Sequence, residues 1–154
     1  MNFMWKGKNV FVTGGTGFIG SHLVVKLRIL GAKVEECKVD LLQDNLSEQN
    51  YQKMDYIFHL AAYSPAITDK VDNGAVEEQN IKMTKNALQL AHNMNATFVF
   101  MSSSHVYPKA NTTDGHPWTE DEMKFGETFT PYGLSKQKCE AICLDFAREY
   151  STNI

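Results

Sequence analysis

The stretch Asn9-Val10-Phe11-Val12-Thr13-Gly14-Gly15-Thr16-Gly17-Phe18-Ile19-Gly20 decides the fold. Asn9 to Val12 read as a strand, and Gly14, Gly17 and Gly20 stand where that strand would hand over to a helix. The first glycine permits a tight turn, the second lets backbone approach a pyrophosphate, and the third lets the helix lie close on the sheet. A helix start behind them offers unpaired N–H groups and the positive end of a dipole, both suited to phosphate. Leu23, Val24, Leu27 and Leu30 continue at helical spacing, and Gly31 supplies a stop. Strand before and helix after give the glycine pattern its meaning.

Downstream, Lys33 to Val39 reads as a second strand and Leu46 to Met54 as a polar helix. Tyr56 to Ala62 reads as a buried strand running into a small-residue turn. Val76, Asn80, Met83, Ala87, Leu90 and Met94 form one stripe of a helix over about 75–94. Ala96 to Met101 is the next strand, ending in Ser102-Ser103-Ser104, and a last helix covers about 133–149. Residues 107–131 hold no clear element, and a loop of that length in a compact domain is usually a lid or substrate loop. Alternating strands and helices predict an α/β, doubly wound parallel sheet, a Rossmann fold occupying 1–154 as one domain. Too few residues separate the second strand from Val39-Asp40-Leu41-Leu42 for a parallel crossover. Four parallel strands are therefore expected, with at most a short fifth at the edge beyond the second.

At 154 residues the chain is long enough for one sizeable core, and its net charge of −3 gives no reason to expect nucleic acid or an anionic membrane as partner. The start, Met1 to Lys8, lacks the apolar run of a signal peptide, so a cytoplasmic protein is expected. Of three cysteines, Cys139 and Cys143 lie four apart in a helical pattern with Ile142 and Phe146 and read as small buried residues, with no metal site expected.

Several residues are candidates for chemistry. Asp40 lies twenty positions after Gly20, where a dinucleotide fold places an acid for the ribose hydroxyls; Lys38 beside it would suit a 2′-phosphate instead. Tyr132 and Lys136 are i and i+4, stacked on one helix face, where an ammonium can lower the phenol's pKa and make it an acid/base. Ser102, Ser103 and Ser104 end a strand at the sheet's carboxyl edge, where a hydroxyl can bond a reacting oxygen. His105 follows and can exchange protons near neutrality. Asn80 reads as a residue that pins backbone or a buried water, and His59 as a satisfied core histidine.

Taken together, the chain resembles the extended short-chain dehydrogenase/reductase family, the NAD-dependent nucleotide-sugar epimerases, dehydratases and reductases. The resemblance rests on Thr13 to Gly20, Asp40-Leu41, His59 to Ala62, Asn80 with Thr84 and Asn86, Ser102-Ser103, and Tyr132-Gly133-Leu134-Ser135-Lys136. It implies that Gly14, Thr16, Gly17, Phe18, Ile19 and Gly20 cradle the pyrophosphate of NAD or NADP. Asp40 and Leu41 would border the adenine, and Leu60, Ala61 and Ala62 the cofactor cleft. Ser103 and Tyr132 would be catalytic, with Lys136 orienting the ribose and tuning Tyr132. The implied reaction is hydride transfer at a sugar carbon, commonly C4, of a nucleoside-diphosphate sugar. Pairing of two chains through the helix bearing Tyr132, with Ile142, Phe146 and Tyr150 as its stripe, is implied as well.

Within the family, Ser103 to Lys109 is similar to the GDP-4-keto-6-deoxymannose epimerase/reductases (GDP-fucose synthases), which carry a cysteine acid/base where His105 stands; His105 would inherit that role. Dehydratases of the family place an Asp-Glu pair where Ser104 and His105 stand here, which argues against dehydration. Lys38 occupies the position of the ribose-binding acid of many NAD-using members and leaves the nucleotide open. Family members are much longer, so the expectation is a truncated Rossmann fold lacking the C-terminal substrate domain. The alternative is a catalytically silent dinucleotide-binding module or one subunit of a split enzyme.

Overall fold

The computed structural model describes residues 3–43, 46, 51–65, 72–108, 118–128 and 130–154. Among them, β1 (Asn9–Thr13), β2 (Lys33–Glu36), β3 (Tyr56–His59) and β4 (Thr97–Phe100) form one sheet in the order β2-β1-β3-β4. Every pairing is parallel, with Val12 beside Glu36 and Thr13 beside His59. Helix α1 (Phe18–Ile29) connects β1 to β2, α2 (Asn73–Met94) connects β3 to β4, and α3 (Pro131–Tyr150) follows β4. The strand order reverses between β1 and β3, so the crevice at their carboxyl ends is where such sheets bind ligands.

Alternation along the strands sorts the core into two layers. Val10 and Val12 face Val24 and Leu27 of α1, with Trp5 closing that layer against Tyr56 and Phe58. Phe11, Ile57 and Phe98 point the other way and pack with Met83, Ala87 and Leu90 of α2 and Cys143 of α3. Helices thus cover both faces, as a doubly wound sheet requires. Cys139 and Cys143 are buried and unpaired, as their helical spacing implies. No helix among the described residues is long and apolar enough to cross a membrane.

The helix ends follow from local chemistry. Asp72 caps α2 by accepting from Gly74 N–H, and Asn95 ends it in the left-handed region at φ 52°. Thr130 caps α3 by accepting from Gly133 N–H, with Pro131 in the first turn, where its missing N–H costs nothing. Gly31, at φ +90°, turns the chain out of α1 towards β2.

Three expectations need correction. The second strand stops at Glu36 rather than Val39: Cys37 N–H makes a last bond to Val12 C=O, and Asp40 then turns the chain by accepting from Leu42 N–H. Residues 51–54 are not helical, because Met54 is buried and Tyr51 lies edge-on to Phe11; residues 47–50 lie outside the described residues. Residues 118–128 are not featureless: Thr119 and Glu122 form a capping box, Pro108 bridges Thr128, and Gln137 of α3 bonds Val106, Lys124 and Gly126 backbone. Gln137 is fully buried, so this segment is stapled to α3. Residues 109–117 and 129 lie outside the described residues.

The stripe expected for pairing on α3 is also reduced. Ile142 and Phe146 pack against the core, leaving Leu144 (56% exposed) and Tyr150 (45%) outward.

Two outcomes test this packing. A Cβ on Gly20 would lie 2.1 Å from the Gly14 carbonyl oxygen, so Gly20→Ala is expected to lose about 2 kcal/mol or more in urea denaturation. His59 is buried and bonded at both ring nitrogens; burial, then the Lys136 charge, lowers it from an ordinary 6.5 to about 3. The unfolded chain takes up a proton that native His59 refuses, so its stabilising contribution is whole above pH 6.5 and is lost as pH falls towards 3. The slope is about 1.4 kcal/mol per pH unit. Denaturation of wild type and His59→Gln from pH 7 to 4 should show this slope in the wild type and its loss in the variant.

Candidate active site

The turn after β1 is shaped by steric constraint. A Cβ on Gly14, which sits at φ +68°, would lie 2.7 Å from the Ala61 nitrogen and 2.8 Å from the Leu60 carbonyl carbon. The turn therefore lies backbone to backbone on the exit of β3, which brings Gly14, Leu60 and Ala61 to one edge, with Ala62 following. Gly17 N–H bonds the Gly14 carbonyl, and Gly17 is the N-cap of α1 without any side-chain acceptor. The first N–H groups of α1 thus need an acceptor from outside the helix. Thr16, Phe18 and Ile19 are exposed around them, Phe18 to 85%. These features fit the pyrophosphate of a dinucleotide: a backbone cradle that any side chain would fill, open amides and a helix dipole.

The end of β2 borders the same turn. Glu36, its last residue, reaches Gly15: a Cβ there would meet the Glu36 carboxylate at 3.0 Å. Arg28 holds that carboxylate at 2.9 Å. Glu36, not singled out in the sequence, is the acid beside the glycine turn. Correctly placing the end of β2 would have found it. Lys38 is exposed and lines a cavity with Arg28, Glu36 and Val39. Asp40 spends one carboxylate oxygen on Leu42 N–H, and Leu41 is buried, its carbonyl accepting from Asn86. Asp40 is thus a turn former, and Leu41 a core residue.

The catalytic candidates meet between the end of β4 and α3. Ser103 hydrogen-bonds the Tyr132 phenol, and the His105 ring stands edge-on to Tyr132 at 6.0 Å. Lys136 Nζ donates to Met101 C=O at 2.7 Å, with the Phe100 ring centroid 4.6 Å away and that of Tyr132 at 5.8 Å. Ser102 donates to Glu140, one turn further along α3. Residues 132, 136 and 140, spaced by four, hold 103, 101 and 102 in turn. Glu140 was not foreseen, though its i+4 spacing from Lys136 was a signal. Beside these residues lies a cavity of ≈ 400 Å³ bounded by Ser103, Ser104, Met123, Glu120 and Glu140.

Burial sets the electrostatics. It pushes the Tyr132 phenol above its ordinary value, while the bond from Ser103 pulls it back. It pushes Lys136, only 2% exposed, below its ordinary value, and nearby Cys139, Cys143 and Glu140 act in the opposite sense. The lowering of Tyr132 by Lys136 that the spacing suggested is not the dominant effect. Desolvation wins.

Two further contacts make the meeting possible. Gly133, also unforeseen, has no room for a side chain: a Cβ would lie 2.2 Å from both the His105 carbonyl oxygen and Thr128 Oγ1. Asn80 pins backbone as expected, accepting from Tyr63 N–H at 2.7 Å and donating to Tyr63 C=O at 3.0 Å. It also donates to Ser135, which donates to Tyr132 C=O, so the segment after β3 is tied to α3.

Comparison with known proteins agrees with this geometry. Residues 10–154 match the model of the NAD dependent epimerase/dehydratase family. UDP-N-acetyl-alpha-D-glucosaminuronate decarboxylase of Bacillus cytotoxicus is 30% identical over 91% of this chain and 50% of its own. UDP-glucose 4-epimerase of Thermotoga maritima, solved with UDP-glucose, superposes with a TM-score of 0.80 at 26% identity, over 93% of this chain and 52% of that one. MoeE5, solved with UDP-glucose and NAD, superposes at 0.76 with 30% identity, over 90% and 49%. The chain spans about half the length of these relatives. On the family match, with the fold and the glycine turn in agreement, this chain belongs to the NAD dependent epimerase/dehydratase family.

Proposed function

We propose that the chain forms the cofactor-binding and proton-transfer portion of an NAD(P)-dependent nucleotide-sugar epimerase or reductase. The observation that carries the proposal is the convergence, on one sheet edge, of the Gly14 turn, the Leu60–Ala61 backbone and the Ser103–Tyr132–Lys136 group. Known relatives that act on UDP-sugars support a nucleoside-diphosphate sugar as substrate. The similarity of Ser103 to Lys109 to the GDP-fucose synthases makes a GDP-sugar the competing choice of base.

In this reading the amides at the start of α1 hold the pyrophosphate, and Glu36 accepts from the adenosine ribose hydroxyls. A carboxylate there opposes a 2′-phosphate, so NAD is favoured over NADP, with Lys38 and Arg28 too near for NADP to be barred. The bound coenzyme supplies the hydride donor or acceptor. Tyr132, kept protonated by burial at neutral pH, gives its proton to a sugar carbonyl oxygen during reduction, and Ser103 holds the same oxygen in line. Lys136 stabilises the phenolate left behind, so the reverse step returns the proton to Tyr132. Where the inverted carbon lies next to the sugar ketone, a second proton must move at carbon, and His105, edge-on to Tyr132, would carry it in this reading. Two copies would pair through the outer surface of α3, where Leu144 and Tyr150 are exposed; sedimentation showing only monomer overturns that part.

Calorimetric titration is expected to show NAD binding more tightly than NADP. Loss of a charge-assisted bond in Glu36→Ala should weaken NAD about tenfold and narrow the preference. Equal or stronger binding of NADP by the wild type refutes the role of Glu36. Any turnover of a UDP-sugar or GDP-sugar panel should fall by about a hundredfold or more in Tyr132→Phe, with NAD affinity little changed. Coenzyme binding without turnover of any sugar would make the chain a binding module instead.

A further inference from the structure

A chain of buried hydrogen bonds joins the glycine turn to α3, and none of the steps above uses it. Ala61 N–H donates to Thr13 Oγ1 at 3.2 Å, and Thr13 Oγ1 lies 2.8 Å from His59 Nδ1. His59 Nε2 lies 3.2 Å from Thr84 Oγ1, which donates to Cys139 Sγ at 3.4 Å. Thr13, His59, Thr84 and Cys139 are all at most 1% exposed. They come from β1, β3, α2 and α3 in turn.

The chain has only one polarity that satisfies every hydrogen in it. Thr13 Oγ1 already accepts from Ala61, and its single hydrogen needs an acceptor; His59 Nδ1 is the one these contacts provide. Nδ1 is then unprotonated, and Nε2 carries the ring proton and donates to Thr84. The Thr84 hydrogen in turn goes to Cys139. In the opposite tautomer Nδ1 would donate to Thr13, leaving the Thr13 hydrogen unsatisfied where burial makes that expensive. A charged ring would do the same, and burial beside the Lys136 charge disfavours it. The imidazole is stacked near Phe98 and Phe100, at 5.9 and 6.0 Å with interplanar angles of 28° and 29°. It is therefore a rigid spacer with an acceptor at one end and a donor at the other.

We propose that neutral His59, in its Nε2–H tautomer, is a positioning residue that sets the register between the pyrophosphate seat and the catalytic helix. Its acceptor end orients Thr13, which precedes Gly14 directly and holds Ala61 N–H, so it fixes both walls of the crevice. Its donor end reaches Cys139 through Thr84, and Cys139 follows Lys136 by three residues on α3. The side chains from Thr13 to Cys139 are buried, and only the Ala61 backbone borders the crevice. The effect of His59 on binding passes wholly through geometry, and this inference rests on the reading of the crevice as a dinucleotide site.

The test combines nitrogen NMR of the wild-type histidines with NAD titration of His59→Phe, His59→Gln and Thr84→Val. At pH 7 the His59 resonances should show a bare Nδ1 and a protonated Nε2; a protonated Nδ1 overturns the proposal even if every variant fails to fold. Thr84→Val, nearly the same shape and remote from the coenzyme, should weaken NAD about tenfold, as should His59→Phe. His59→Gln, with one acceptor and one donor on its amide, should recover most of the affinity lost in His59→Phe. Folded His59→Phe and Thr84→Val chains that bind NAD within twofold of wild type overturn the proposal while leaving the function intact. Wild type that binds neither NAD nor NADP overturns the function first, and this inference with it.

Discussion

The crevice exists because Gly14 has no side chain. Its backbone lies directly on Leu60 and Ala61, closer than any Cβ would allow, so the exits of β1 and β3 touch at the point where the strand order reverses. Gly20 repeats the constraint six residues later, its missing Cβ leaving room for the Gly14 carbonyl. The start of α1 therefore packs directly on the turn. Close packing tolerates no compromise here, since the obstructing atoms are backbone on both sides.

The other wall depends on helix geometry. With a rise of about 1.5 Å per residue, positions four apart on α3 are about 6 Å apart along one face. That spacing lets Tyr132, Lys136 and Glu140 take hold of three consecutive residues, Met101 to Ser103, at the end of β4. Gly133 lets the first turn of this helix press against His105, and Gln137 secures the segment that follows. Burial then acts in opposite directions on the two titrating groups, raising the phenol and lowering the ammonium, so each is nudged towards its neutral form. An ion pair between them would have to overcome both penalties.

Much of this was legible in the residues because few alternatives satisfy the same local rules. Only glycine suits Gly14 and Gly20, and only a helix stacks Tyr132 over Lys136, so turn, helix and approximate boundaries could be read directly. The Asn80 stripe and the buried cysteines followed from helical periodicity. What could not be read depends on partners distant along the chain. Glu36 was passed over because β2 ends where Cys37 makes its last bond to Val12, three residues before propensity alone would stop it. The clash that reserves Gly133 for glycine is with His105 and Thr128, neither of them helical neighbours. One oxygen of the Asp40 carboxylate closes an Asx turn, which its spacing alone did not show. Residues 118–128 looked formless because much of their order comes from Gln137, although the Thr119–Glu122 capping box was a local signal.

The bare N-cap at Gly17 has a thermodynamic consequence. A serine or aspartate in that place would ordinarily strengthen a helix over glycine by only about a few tenths of a kcal/mol, and α1 forgoes that small gain while its leading amides stay without a side-chain cap. An anion bound there, as the proposed function requires, would link occupancy to melting temperature: each tenfold excess of ligand over its dissociation constant would add about 1.4 kcal/mol to the folded state. Thermal resistance would then be partly a property of the solution around the domain.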